Sequence, residues 1–253
     1  MKLSRKILPA LAMLLVSAIM LTTASFAWFA MNQSVTAQGM TVNIKTESIF
    51  LSILGVDADA EAPELDAVRA NGIAASGVTD DSTDVLPTAT DVAVDAATSL
   101  KTYSNWYTQV AASPDASDAA VGAAKTANDK FDGYVVRYTF YVALSAGSNA
   151  ATNLKVDKFN ITDADTSDAI TDITPVSVIV ACGDVYEEFN SAKNAVSGAG
   201  TTTLVATVAQ DTLYEVCVYV YYDGAHENVY TNNVAKLAGA NIELTLKVDP
   251  ATT

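Results

Sequence analysis

Apolar and polar residues alternate with a period of two over most of the chain after residue 132, which predicts β-strands. In residues 134–144 every even position is apolar, and Arg137, Thr139 and Ala143 fall on the other face. Residues 176–180, 214–222 and 242–248 repeat the pattern, and turn residues separate them. Roughly seven to nine strands with hardly any helical segment between them predict an all-β fold, specifically an antiparallel two-sheet jelly-roll sandwich.

Two details of the alternation refine this prediction. Met40, Val42 and Ile44 predict a strand near the start of the domain, and residues 49–54 begin a second one. Further along, residues 154 and 156 are apolar in one phase, whereas residues 159 and 161 are apolar in the opposite phase. A change of phase inside one strand predicts a β-bulge near Lys158.

Residues 57–132 differ from the rest because they are rich in Ala, Asp, Ser and Thr and contain few large apolar side chains. We expect a large, partly helical insertion in a single domain spanning residues 28–253, with short helices at 63–70 and 117–128. Its aromatic residues are Tyr103, Trp106 and Tyr107. They could form a patch for a partner, or they could pin the insertion onto the core, which is the commoner role.

The N-terminus has the organisation of a secretory signal peptide. Lys2, Arg5 and Lys6 precede an apolar run at residues 7–20, and small residues follow it. We expect residues 1–27 to be removed by a signal peptidase between Ala27 and Trp28. The protein would then be secreted, extracellular or on the cell surface, and would meet the membrane only during export. The alternative is a retained anchor, because the apolar character continues past the predicted cleavage site.

Composition and charge exclude several classes of function. The formal net charge of -15 repels a phosphate backbone, so no nucleic-acid partner is expected. One histidine, His226, and two cysteines are too few for a multi-His or multi-Cys zinc site. Outside the cell Cys182 and Cys217 could form a disulfide, but two buried free thiols are the competing interpretation.

No motif indicates catalysis, a metal or a cofactor. The chain has no nucleophile elbow, P-loop or dinucleotide fingerprint, and we predict neither an enzyme nor a bound cofactor. Asp163, Asp165 and Asp168 could bind calcium weakly, but the glycine and closing glutamate of an EF-hand loop are missing. A solvated acidic turn is the more ordinary interpretation of these residues.

The segment exposed by cleavage, residues 28–38, is strand-competent and begins with large apolar side chains. Trp28, Phe29, Met31 and Val35 would make it an aggregation hazard unless it pairs with a sheet. Such an arm can add as a strand to a neighbouring copy, and a repeated head-to-tail contact builds a filament. The arm could equally pair with its own sheet.

Both ends of the chain resemble a known family. The junction Ser25-Phe26-Ala27-Trp28-Phe29 with the downstream Gly39, and the C-terminal Asp-Gly loop followed by the strand at residues 241–248, are similar to the TasA and camelysin family of secreted biofilm-matrix fibre proteins. The resemblance implies a jelly roll, signal cleavage and assembly into extracellular fibres through the N-terminal strand. It also implies a metalloprotease label, against which the missing histidine pair argues.

The sequence therefore predicts a secreted structural subunit that assembles with copies of itself through its N-terminal arm. The alternative is a monomeric surface module that binds a glycan or a protein through Tyr103, Trp106 and Tyr107. A third hypothesis, a secreted hydrolase that uses acidic residues, has the least support, because no two carboxylates are placed by the sequence across a cleft.

Overall fold

The fold is built from β-strands, in agreement with the alternation in the sequence. The computed structural model describes residues 40–46, 51–57, 59–78, 85–90, 100–101, 106–108, 126–127, 133–163, 174–190, 197–198, 200–224, 226, 229 and 239–251. Within these ranges the strands are β1 (Thr41–Thr46), β2 (Leu51–Val56), β3 (Ala74–Ser76), β4 (Thr88–Thr90), β5 (Trp106–Thr108), β6 (Thr126–Ala127), β7 (Val136–Leu144), β8 (Ala151–Asp163), β9 (Val176–Cys182), β10 (Val185–Phe189), β11 (Ser197–Gly198), β12 (Thr203–Val208), β13 (Tyr214–Tyr222) and β14 (Ala240–Pro250). The helix α1 spans Leu65–Asn71.

The strands form two large sheets and one small sheet. Sheet A has the order β11-β8-β14-β1-β3, with β12 pairing the other part of β8. Sheet B has the order β10-β9-β13-β7-β2, and sheet C has the order β4-β5-β6. This confirms the all-β sandwich, whereas the finer jelly-roll assignment stays a prediction.

One pairing departs from the predicted antiparallel sheets. β1 runs parallel to β14, with Thr41 opposite Asn241 and Thr46 opposite Leu246. Parallel pairing needs a long connection rather than a hairpin, and here nearly the whole domain forms that connection. The first and last of the described strands therefore lie side by side, which alternation within each strand cannot predict.

The central core lies between sheets A and B and uses the predicted alternating positions. From sheet A it includes Val42, Ile44, Ile242, Leu244 and Leu246, and from sheet B it includes Val136, Phe140, Val142, Val178, Val180, Val216, Val218 and Val220. The bulge in β8 is also confirmed. Thr245 lies opposite Lys158 but Leu246 lies opposite Val156, so Asp157 is the extra residue.

Sheet B is apolar on its outer face as well. Ile179, Cys217, Tyr219 and Tyr221 belong to a second buried cluster, and Tyr141 and Ala143 belong to a third. Our expectation that β7 would present one apolar face and one polar face is therefore wrong for these positions. Tyr134, which we assigned to the central core, packs instead against the second cluster.

The described parts of the insertion cover this outer face and also extend sheet A. Trp106 and Leu100 belong to the second cluster, and Val68 of α1 belongs to the third. β3 extends sheet A, so the insertion is not confined to the surface.

The predicted helix at residues 63–70 is confirmed with slightly later bounds. The predicted helix at 117–128 is wrong at Thr126–Ala127, which pairs with β5 as a strand.

The edge of sheet B formed by β2 is covered by the chain around the end of α1. The backbone N–H of Ile53 donates to the carbonyl of Gly72 at 2.8 Å. The Asn71 side-chain amide donates to the carbonyls of Ile53 at 2.5 Å and Ala74 at 3.3 Å. These bonds satisfy strand-edge groups that another chain could otherwise pair with.

On the opposite side of the sandwich, a buried carboxylate links β10 of sheet B to the segment before β12 of sheet A. Glu187 of β10 is only 5% exposed. Its Oε1 accepts hydrogen bonds from Thr201 N at 2.7 Å, Thr201 Oγ1 at 3.1 Å and Thr202 N at 3.3 Å. A Cβ on Gly200 would lie 2.5 Å from Glu187 Oε2, so the close approach requires glycine. The carboxylate thereby joins the edge of sheet B to the segment that leads into β12.

We expect Glu187→Ala to lower the free energy of unfolding by about 2–3 kcal/mol, because two backbone N–H groups lose their acceptor in a buried site. Glu187→Gln keeps one acceptor oxygen and should lose less. Urea denaturation followed by circular dichroism measures both. Glu243→Ala, at an exposed position, is the matched control and should stay within about 0.5 kcal/mol of the wild type. An equal loss in the control would contradict the assigned role.

Candidate functional site

The chain enters the sandwich at a fixed, buried position. Met40 is 1% exposed, and its carbonyl accepts a hydrogen bond from the Tyr138 hydroxyl of β7. The ring of Tyr138 lies against Gly77, where an added Cβ would meet ring carbon Cδ1 at 2.2 Å. Gly77 N also donates to the carbonyl of Val42 at 2.7 Å. Any segment N-terminal to Met40 is therefore attached to a rigid root.

The predicted cleavage and assembly residues lie outside the described residues. These are Ala27, Trp28, Phe29, Met31 and Val35. Their processing and pairing stay predictions. What the structure supplies is the root at Met40 and the strand edges that a neighbouring arm could meet.

The predicted aromatic patch is divided by the structure. Trp106 is fully buried, with its ring centroid 5.0 Å from that of Tyr221 and 6.0 Å from that of Tyr219. Its Nε1–H donates to the carbonyl of Leu100 at 3.2 Å. Tyr107 is half-buried and Tyr103 lies outside the described residues. Trp106 thus pins the insertion to sheet B, and its assignment to a partner-binding patch is wrong.

The two cysteines are buried free thiols. In the pairing of β9 with β13, Val216 lies opposite Cys182 and Cys217 lies opposite Ala181. The two cysteines are therefore on adjacent strands, offset by one residue in the register. Successive side chains on a strand point to opposite faces. Cys182 accordingly packs in the central core and Cys217 in the outer cluster, so of the two interpretations left open by the sequence the buried free thiols are confirmed and the disulfide is not formed.

Charged groups surround Cys217 at the outer face of sheet B. Glu215 Oε1 accepts hydrogen bonds from Lys101 Nζ at 2.8 Å and from the Cys217 thiol at 3.3 Å. Burial acts to raise the pKa of Glu215, but these two hydrogen bonds, together with the positive charges of Lys101 and Arg137, outweigh it and lower that pKa. Burial raises the pKa of the Cys217 thiol to about 11, and nearby Glu215 adds to the shift. The thiol is therefore protonated at neutral pH and is a poor nucleophile.

The space beside this cluster is small. The cavity is about 10 Å³ and is lined by Leu100, Lys101, Ala181, Gly183, Glu215, Cys217 and Tyr219. A volume of this size holds about one water molecule. A larger, open depression of about 380 Å³ lies at the β3 edge of sheet A, lined by Asn43, Ile44, Ala74, Ala75, Ser76 and Glu243.

In the described ranges, no group of three or more His, Cys, Asp or Glu side chains is placed to hold a metal ion. Asp165 and Asp168 of the predicted calcium loop lie outside these ranges. His226 lies in a turn, where its backbone N–H donates to the carbonyl of Asp223 at 3.0 Å. No helix in the described part of the chain is long and apolar enough to cross a bilayer.

One strand edge was not singled out by the sequence. Among the residues that the structure describes, β12 pairs with β8 alone, and residues 200–209 contain neither a charged residue nor a proline. Its ends are held, since Glu187 binds Thr201 and Thr202 while the Tyr214 hydroxyl accepts from Ala209 N at 2.7 Å. Between them residues 203–206 form an uncharged edge strand, which lacks the usual protection against pairing with another chain.

Comparisons with known proteins do not assign a family. No protein-family model matches the chain, and no curated protein matches it. A solved structure described as "AvmM Catalyzes Macrocyclization in Alchivemycin A Biosynthesis" aligns with 48% of this chain and 82% of its own length. The sequence identity is 8% and the TM-score is 0.26, so this likeness carries no argument about fold or activity.

We expect both thiols to be unreactive in the folded protein. Ellman's reagent at pH 8 should detect two thiols per chain in denaturant and almost none in buffer, because burial raises the pKa of Cys182 and of Cys217 to about 11. These folded-state values lie above the unfolded value, so the unfolded state releases protons first as the pH rises. Stability should therefore fall between about pH 9 and pH 11. Rapid labelling in buffer would contradict the assignment.

We expect Trp106→Ala to lower the free energy of unfolding by about 3–5 kcal/mol, because it removes the largest fully buried side chain from the outer cluster. Trp106→Phe should cost less, since it keeps an aromatic ring and loses the hydrogen bond to Leu100. Tyr107→Ala is the half-buried control. Thermal unfolding by calorimetry measures all three, and an unchanged melting temperature in Trp106→Ala would refute the pinning role.

Proposed function

We propose that this protein is a secreted, non-catalytic structural subunit that assembles with copies of itself into an extracellular fibre or biofilm matrix. The N-terminal arm, residues 28–38, adds as a strand to the edge of β12 in a neighbouring copy. The single observation that carries this proposal is the uncharged edge at residues 203–206 in a sandwich whose other main edges are covered, charged or short.

The other edges of the two main sheets offer less to an incoming strand. β2 is covered by Gly72 and Asn71. β3 has three residues, and β10 carries Glu187 and Glu188 within five. By contrast β12 has six residues, and Leu204 and Val208 anchor it in the central core. An incoming strand therefore finds a firmly held partner at β12.

The attachment point of the arm at Met40 supports docking of the arm on a neighbouring copy. The last residue before β1, Met40, is buried and hydrogen-bonded, so the arm is attached to the sandwich at a fixed point. An arm that leaves one copy at a fixed point and docks on another makes a head-to-tail contact. Such a contact repeats without closing and produces a filament.

The alternative, a monomeric module for a glycan or protein partner, has lost one of its three proposed contact residues because Trp106 is buried. The protonated thiols and the small cavity beside Glu215 also favour a structural role over a hydrolytic one.

Signal cleavage by a signal peptidase and secretion are parts of the proposal that rest on the sequence of residues 1–27.

The test compares arm and edge variants by negative-stain microscopy and size-exclusion chromatography. Phe29→Asp with Val35→Asp should abolish filaments, whereas Asn32→Asp with Gln33→Asp adds the same charge at polar arm positions and should keep them. Val205→Lys should abolish filaments at the acceptor edge, whereas Gln210→Lys in the following turn should keep them. Circular dichroism confirms that each variant folds.

Mixing the arm variant with the edge variant should give dimers, because one supplies an intact edge and the other an intact arm. Filaments of normal length from the arm variant would overturn the proposal. Filament loss in the arm variant but not in Val205→Lys would place the acceptor on another edge.

A further inference from the structure

The outer face of sheet A differs from that of sheet B, because it is polar and the described insertion does not cover it. Its outward residues come from β8 and β14, including Lys158, Asn160, Glu243, Thr245 and Lys247. Lys158 and Glu243 are exposed, and the other three are partly exposed. Lys155 lies opposite Lys247 and Lys158 lies opposite Thr245, which places three lysines within a few residues on two adjacent strands.

This face is electrically unlike the whole chain. Lys155, Lys158 and Lys247 share it with three carboxylates, Asp157, Glu243 and Asp249. Lys247 Nζ lies 2.8 Å from Asp157, and Asp249 Oδ2 accepts a hydrogen bond from Asn153 Nδ2 at 3.0 Å. The described side chains of β8 and β14 on this face therefore carry three positive and three negative charges, in a chain with a net charge of -15. It is a comparatively favourable place for an acidic group to approach.

An acidic segment lies on the other side of the sandwich. Residues 57–66 contain five carboxylates and no basic residue. The helix α1 that begins in this segment packs through Val68 against the outer face of sheet B. Asp59 is paired with Arg137, but Glu61, Glu64 and Asp66 are exposed.

We infer that the outer face of sheet A binds the acidic segment, residues 57–66, of a second copy of this chain. The two surfaces lie on opposite sides of one sandwich, so each copy offers both and the contact is heterologous. This inference deepens the proposed function, on which it rests, by adding a side-by-side contact to the contact made by the arm. Lys155 and Lys158 supply the attraction for the exposed carboxylates.

The contact alone is weak. The outer face of sheet A has four strands about 4.8 Å apart and about nine residues long, so its area is roughly 500 Å². A stable protein–protein interface buries about 800 Å² on each partner, which is more than this face offers. Exposed ion pairs each contribute little. A contact of this size becomes effective when the arm already holds two copies together at high effective concentration.

The dependence of self-association on salt concentration distinguishes this contact from the general repulsion between acidic copies. At low salt the negative net charge of each copy repels any other copy. At about 0.15 M salt the screening length falls to about 8 Å, so the long-range repulsion is screened while ion pairs in direct contact still attract. At molar salt the ion pairs are screened as well. Side-by-side association should therefore pass through a maximum at intermediate salt, whereas pairing driven by an apolar arm should only strengthen as salt rises.

The experiment uses sedimentation equilibrium on the arm variant with Phe29→Asp and Val35→Asp, so that filament formation does not obscure the weaker contact. Adding Lys155→Gln with Lys158→Gln should weaken self-association about tenfold. Ala146→Glu with Asn149→Glu changes the net charge equally in an exposed turn and should have a much smaller effect.

A charge swap provides the decisive comparison. In the same background, Lys155→Glu with Lys158→Glu, and Glu61→Lys with Asp66→Lys, should each self-associate poorly, and mixing the two should restore association. No recovery on mixing, or an equal effect of the control turn variant, would overturn the inference. That result would leave the arm proposal standing, because filament formation is scored separately in the secreted protein.

Discussion

Sheet B has two apolar faces, and both must be removed from water. Sheet A covers the inner face to make the central core, and the residues between β2 and β7 cover the outer face with α1, Leu100 and Trp106. Burial of this area is the dominant favourable term in folding. The described parts of the long segment that interrupts the strands therefore belong to the folded unit, and Val68, Leu100 and Trp106 cover apolar area of sheet B.

Closure of the strand edges is the second determinant of what the molecule can do. Asn71 and Gly72 cover β2, and Glu187 fastens β10 to the segment before β12. A sandwich closed in this way resists random edge pairing. The uncharged centre of β12 is the exception, and the proposed assembly depends on that difference between edges rather than on a pocket or a reactive side chain.

The two broad surfaces of the sandwich have different chemical characters. The sheet B side carries the insertion with its exposed carboxylates, while the sheet A side exposes lysine and carboxylate side chains together with threonine and asparagine. A molecule with unlike opposite faces favours contacts that propagate over contacts that close in pairs. The groups near Cys217 do not add a reactive centre to this picture, since burial keeps the thiol protonated.

The sequence by itself determined the long strands of the two main sheets, the residues that those strands direct into the central core and the bulge beside Lys158, because side-chain alternation records which face of a strand is buried. It left open whether Trp106 served a partner or the core, and whether Cys182 and Cys217 were joined. Only the tertiary structure decided these points, as well as the parallel pairing of β1 with β14 and the edge at β12. Each depends on which strands are neighbours, and local periodicity contains no information about residues distant in the chain.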